Sequence, residues 1–123
     1  MLASRAQLHG VLDTAAITSY DITRDVLILS DPTILVLASL AEGEKHGYAM
    51  MEDIQRFAGV RLGPGTLYGA ITRLEERGWI RALESDDRRR PYAITAAGKH
   101  YLEEQMVNLD SIVKTAMRRL KPA

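Results

Sequence analysis

Cysteine is absent from the chain. That excludes a disulfide framework, a thiolate metal site, an iron–sulfur cluster and a cysteine nucleophile, and it suits a reducing compartment. Histidine is scarce: His9, His46 and His100 lie in different segments, with no i, i+4 pair and no HExxH. No zinc site and no other cofactor is therefore expected. No glycine-rich phosphate loop of the P-loop or dinucleotide type is present. The acidic pairs Glu75-Glu76, Asp86-Asp87 and Glu103-Glu104 are neighbours in sequence, which points their side chains apart on a helix. No catalytic constellation emerges, and the protein is not expected to be an enzyme.

Long hydrophobic runs are lacking too. The most apolar stretch, Val26 to Ala41, is interrupted by Ser30, Asp31, Pro32, Thr33 and Ser39, whereas a spanning helix needs roughly 20 mostly apolar residues. Met1–Gly10 has a single arginine and no long apolar core, unlike a secretory leader. No membrane association is expected, and the chain reads as cytoplasmic. Nor is there an excess of either charge: 16 Lys+Arg stand against 16 Asp+Glu. The strong positive charge common among nucleic-acid binders is missing. By segment, residues 31–59 carry two basic and five acidic groups, residues 60–94 seven and five, and residues 95–123 five and three. The positive bias therefore lies in the second half.

What is present is a composition for one globular domain: 123 residues, 46% hydrophobic and 26% charged. Residues 1–30 are weakly patterned and read as an N-terminal extension, in part disordered. Its run Val26-Leu27-Ile28-Leu29 is a buried strand or one turn of helix, and periodicity does not decide between them. Asp31-Pro32 then starts a first helix, about 31–42, with Asp31 as cap and Pro32 at the first helical position. Its apolar stripe is Ile34, Leu37, Ala38 and Ala41, widened by Leu35 and Leu40, and Gly43 supplies a stop.

A second helix, about 47–58, opens at His46-Gly47 and ends at Gly59, with Met50, Ile54 and Phe57 on its apolar face. Gly63-Pro64-Gly65-Thr66 leads into a third helix that ends at Gly78. Leu67, Ala70, Ile71 and Leu74 form its inner face. Thr66, Tyr68, Gly69, Thr72, Arg73 and Glu76 lie opposite. Trp79–Leu83 and Tyr92–Ile94 are β-capable and flank a polar tip, Ser85–Arg90, so a hairpin is expected. Tyr92 and Ile94 alternate toward the core. Trp79 is expected to pack between wing and core.

Thr95 caps the last helix, which runs to about Leu120. Leu102, Met106, Leu109, Val113, Ala116 and Leu120 form an a/d stripe across almost three heptads. Since the short helices bury their faces on one another, this seam is expected to make a homodimer.

Three helices followed by a hairpin is the plan of a winged helix-turn-helix. The fold class is thus mainly α with a small β-hairpin, plus a long C-terminal dimerisation helix. The domains are 1–30 as extension, 31–95 as winged helix-turn-helix and 96–123 as dimerisation helix. The major groove admits one helix. Pro64-Gly65 keeps the entering end slim, and Arg73 stands on the exposed face. Arg88, Arg89 and Arg90 at the wing tip suit the DNA backbone or minor groove.

Four motifs in order carry a family resemblance: His46-Gly47-Tyr48, Pro64-Gly65-Thr66-Leu67-Tyr68, Arg73-Leu74-Glu75-Glu76-Arg77-Gly78, and Arg89-Arg90-Pro91-Tyr92-Ala93-Ile94-Thr95-Ala96-Ala97-Gly98. Over about residues 33–105 the chain resembles the PadR family of bacterial transcriptional regulators. The resemblance implies a winged helix dimerised through its C-terminal helix, and repression often relieved by a small molecule. It implies that Gly65, Thr66 and Tyr68 sit at the DNA-facing start of the recognition helix, with Tyr48 near the backbone at the start of the second helix.

The chain departs from the family pattern at Gly69, where proline is frequent, and in its longer N-terminal extension. Some small members bind flat drugs between tryptophans of their dimerisation helices. Here the only tryptophan is Trp79, and the last helix offers Tyr101 and Met106, so that property is not carried over. The expected partners are double-stranded DNA with a palindromic operator, a second copy of the chain, and an apolar or aromatic effector. The alternative is a winged-helix protein–protein interaction module without specific DNA binding, which the neutral net charge favours.

Overall fold

The computed structural model describes residues 31–86 and 88–122. The expectations for residues 1–30, and Asp87 of the wing tip, lie outside them. The described elements are helix α1 (Pro32–Leu40), strand β1 (Lys45–His46), helix α2 (Gly47–Ala58), helix α3 (Pro64–Glu76), strands β2 (Ile80–Ala82) and β3 (Pro91–Ile94), and helix α4 (Ala96–Leu120).

Helix α1 begins at Pro32 as expected but stops at Leu40. A turn follows, closed by the Gly43 N–H on the Leu40 carbonyl at 3.1 Å. The expected stripe is corrected here. Leu35, Val36, Leu37, Ser39 and Leu40 are buried, Ile34 and Ala38 are half-buried, and Ala41 is exposed. A helix apolar nearly all round is a central one, covered from several sides. Here α2, α3, α4 and β3 all pack on it, so no single stripe describes its burial.

Around α1 the core is closed by Met50 and Ile54 of α2, Leu62, the α3 face Leu67, Ala70, Ile71 and Leu74, and Ile80. Each large side chain of this kind contributes about 1.5–3 kcal/mol when fully buried. The α3 face is the expected one. Phe57 is not where the sequence places it: it is 49% exposed, because the buried face of α2 runs through Met50 and Ile54 toward Met51 and Ala58, which pack on the core, and leaves Phe57 at its outer edge. Gly59 ends α2 in the left-handed region at φ 69°, a backbone that glycine adopts without strain.

Ser39, buried on α1, donates to Asp53 Oδ2 at 2.7 Å. Lys45 donates to the Ser39 carbonyl and pairs with Glu42 at 2.8 Å and Asp53 at 3.8 Å. Buried polar groups must find partners, and these four tie α1, β1 and α2 together.

The sheet differs from the expected two-stranded hairpin. It has three strands in the order β1-β3-β2, both pairs antiparallel. Ile80 faces Ile94 and Ala82 faces Tyr92 in the hairpin. Lys45 and His46 add an edge opposite Tyr92 and Pro91. A two-residue strand is too short to show a period, which is why the sequence reads that segment only as the start of a helix.

The join between α3 and α4 is tight. Thr95 accepts from the Gly98 N–H at 3.1 Å and donates to the Gly78 carbonyl at 2.7 Å. The Thr95 N–H reaches the Trp79 carbonyl at 3.0 Å. A Cβ on Gly98 would lie 2.1 Å from that carbonyl oxygen, so a residue that weakens a helix elsewhere is required in this first turn. Trp79 stacks on Tyr101, with ring centroids 3.9 Å apart and planes at 15°. The Arg77 guanidinium lies 5.2 Å from the tryptophan ring, within cation–π range. Trp79 therefore packs where the wing, core and α4 meet.

Candidate nucleic-acid interface

Helix α3 starts at Gly63-Pro64, with proline at the first position and no side-chain cap. At 3.6 residues per turn, its core face leaves Gly65, Thr72, Gly69 and Glu76 in the middle of the outer side. Thr66 and Arg73 form one flank, Tyr68 and Glu75 the other. All of these except half-buried Gly69 are exposed. The Thr72 hydroxyl donates back to the Tyr68 carbonyl at 2.9 Å. A Cβ on Gly69 would meet Arg73 Nη1 at 3.6 Å. The arginine thus lies back along the helix toward its N-terminal end, as helical side chains tend to.

Tyr48, on the first turn of α2, is 60% exposed. It lines one open groove with Gln55, Arg61, Gly63 and Pro64, so the start of α2 and the start of α3 present a common surface. Tyr68 belongs to the same neighbourhood but turns its phenol end back against Gly47.

At the wing, Arg88, Arg89 and Arg90 are all exposed. Arg90 lines a shallow hollow with Glu84, Ser85 and Asp86, so the basic tip has acidic neighbours. Tyr92 at the wing's base has its pKa raised above 10, first by burial and then by Glu75 and Tyr68, while Arg90 opposes the shift.

Along α4 the expected dimer seam divides. Leu102 packs on the core and Leu109 is half-buried. Met106, Val113 and Leu120 are exposed, the last at 77%, and Ala116 is exposed too. Ile112 at 64% and Met117 at 51% widen the seam at the positions flanking a and d. The sequence reading missed both, though a helical projection of the same residues finds them. Among the described residues no cluster of three His, Cys, Asp or Glu side chains could hold a metal ion. No helix among them is long and apolar enough to cross a membrane.

Helices α2 and α3 joined by a short turn, followed by a β2–β3 wing, define a winged helix-turn-helix protein, and solved winged-helix structures share this fold. Residues 36–104 match the transcriptional regulator PadR-like family. A transcriptional regulator of Mycobacterium tuberculosis is 33% identical over 85 residues, 67% of this chain and 78% of that one. An uncharacterized 37.1 kDa protein in a transposon of Streptomyces fradiae is 47% identical over 76 residues, 62% of this chain. The match spans only 22% of the length of that transposon protein. A PadR family transcription regulator of Clostridium difficile superposes with a TM-score of 0.66 at 25% identity, covering 73% of this chain and 98% of that structure. The chain belongs to the PadR-like family of transcriptional regulators.

Proposed function

We propose that the protein is a homodimeric, sequence-specific DNA-binding repressor, acting in the cytoplasm, whose affinity for its operator responds to a small apolar or aromatic molecule. The observation that carries this reading is the outer side of α3. It stands clear of a sealed core, beside an exposed wing bearing Arg88, Arg89 and Arg90. The slim start of α3, with Gly65 and Thr66, enters the major groove, and Arg73 reaches toward the same end. Tyr48 lies at the backbone. Tyr68 belongs to this face. The wing arginines meet phosphates, which carry no sequence information. A family match without a strong net positive charge is consistent with this, because the reading needs only a local cluster, and Arg88, Arg89 and Arg90 supply one at the wing tip.

Leu102, Met106, Leu109, Val113, Ala116 and Leu120, with Ile112 and Met117 beside them, make the seam with a second copy. Two-fold symmetry then asks for a palindromic operator with half-sites about one helical turn apart or a multiple of it. The effector binds along this seam, where methionine, leucine and valine side chains are available. Trp79 and Tyr101 are engaged with each other and are not its platform. A shift of α4 would pass to the end of α3 through the Thr95–Gly98–Trp79 join, whose hydrogen bonds link the two helices.

Selection of bound duplexes from a random pool tests the reading. A single recovered palindrome is the expected outcome. Arg88→Ala should weaken operator and random DNA alike and lower the salt slope by about one unit. Thr66→Ala should cost about 1–3 kcal/mol on the operator and much less on random DNA. Recovery of no preferred sequence, with salt-independent behaviour, would leave the protein-interaction module as the better reading.

A further inference from the structure

Tyr68 stands on a flank of α3, not at the middle of its outer side. It shares that flank with Glu75, seven residues on, next to core Ile71. The ring is 47% exposed, and what covers the remainder includes the start of α2. A Cβ built on Gly47 would lie 2.3 Å from Tyr68 Oη and 2.8 Å from its Cζ. The phenol end therefore occupies the space that any side chain at position 47 would take. Gly47 is buried and follows directly on His46, which pairs with Pro91 of β3. Tyr68 thus bears on the joint where β1 becomes α2.

We propose that Tyr68 is a positioning residue of the DNA interface: its phenol end, seated on Gly47, sets the angle of α3 against the β1–α2 joint, and so decides which operator fits without itself reading a base. This deepens the DNA-binding reading above and rests on it.

Tyrosine suits the task because it is long and stiff, with only two side-chain torsions. Its end can press on a neighbour without much loss of side-chain entropy. A base is read by a side chain whose polar end is free to reach out of the helix, whereas the Tyr68 phenol end is turned against Gly47. A flank residue held against the protein's own backbone fixes instead how the outer side of α3 enters the groove. The atoms nearest position 47 are the far end of a side chain. A methyl group there displaces the ring before it displaces the backbone.

The test uses the full chain and a duplex selected from a random pool by the wild-type protein, with its single-base-pair variants and a random duplex as reference. The proteins are wild type, Tyr68→Phe, Tyr68→Ala, Gly47→Ala and the double variant. Tyr68→Phe, which keeps the ring, should retain the wild-type base preferences. Tyr68→Ala and Gly47→Ala should each lower the operator-to-random affinity ratio about tenfold, with the loss spread over several base pairs. The double variant should be no worse than Tyr68→Ala, since both remove one and the same contact.

A loss confined to one base pair in Tyr68→Ala or Tyr68→Phe, with Gly47→Ala like wild type, overturns the proposal in favour of a direct base contact. Additive losses in the double variant overturn it as well. Should Gly47→Ala fail to fold, the two Tyr68 variants decide alone: a spread loss supports the positioning role and a single-position loss overturns it. A wild-type protein that selects no sequence overturns the DNA-binding reading itself, and this is known before any variant is measured.

Discussion

The inner face of α3 and the outer stripe of α4 are built from the same kinds of residue at the same helical spacing, yet they meet opposite fates. Leu67, Ala70, Ile71 and Leu74 are at most 1% exposed, whereas Val113 is 54% and Leu120 77% exposed. Periodicity announces that a face is made to be covered. It does not say what covers it. The cover for α3 lies within the chain, in α1 and α2. Helix α4 has 25 residues, about 37 Å at 1.5 Å per residue, and its second half outruns the domain it starts from.

That contrast can be broken by mutation, and the largest effect belongs to the sealed side. Leu74→Ala should destabilise the fold by about 2–5 kcal/mol, read as a lower denaturation midpoint with an unchanged slope. A loss below about 1 kcal/mol would mean that the α3 face is less tightly covered than its burial implies. Gly98→Ala comes next. Its methyl would meet the Trp79 carbonyl, and overpacking of this kind costs about 1–3 kcal/mol. The gain in helix propensity offsets up to about 1 kcal/mol of that. Thermal melting decides whether the joint between α3 and α4 is as rigid as the contact indicates.

On the open side the expectation reverses. Val113→Asp should leave the stability of the isolated fold within about 0.5 kcal/mol, yet abolish the proposed dimer, because a buried unpaired charge in the seam is costly. Sedimentation measures the assembly and melting at low concentration measures the fold. A variant that stays dimeric moves the interface elsewhere. The smallest effect is at the wing. Tyr92 ionises above 10 in the folded protein but near 10 unfolded. The unfolded state therefore loses its proton first, and stability should fall as pH rises past 10. Absorbance titration should show a late component that disappears in Tyr92→Phe.

The α3 face, the glycine stops at Gly59 and Gly78 and the extent of α4 were legible in the sequence, since each follows from the spacing or type of residues close together. The outer side of α3 could be read for the same reason: it is what remains when the inner face is known. The α1 stripe could not. A helix packed from several sides buries residues in nearly every direction, and no period survives. Spacing alone places Phe57 inward, but it does not say toward which edge of the stripe the neighbours lie, and the core takes the Met51 and Ala58 edge.

Local chemistry determined the order of elements and which faces must be hidden, because turns, caps and periodicity act over a few residues. Only the tertiary structure decided that Lys45–His46 joins the sheet and that Gly47 and Gly98 are glycines to admit Tyr68 and the Trp79 carbonyl. The same holds for Trp79, which stacks on Tyr101. Each of those contacts joins residues 19 or more positions apart. A missing side chain carries no sign in the sequence of the distant atom that occupies its place.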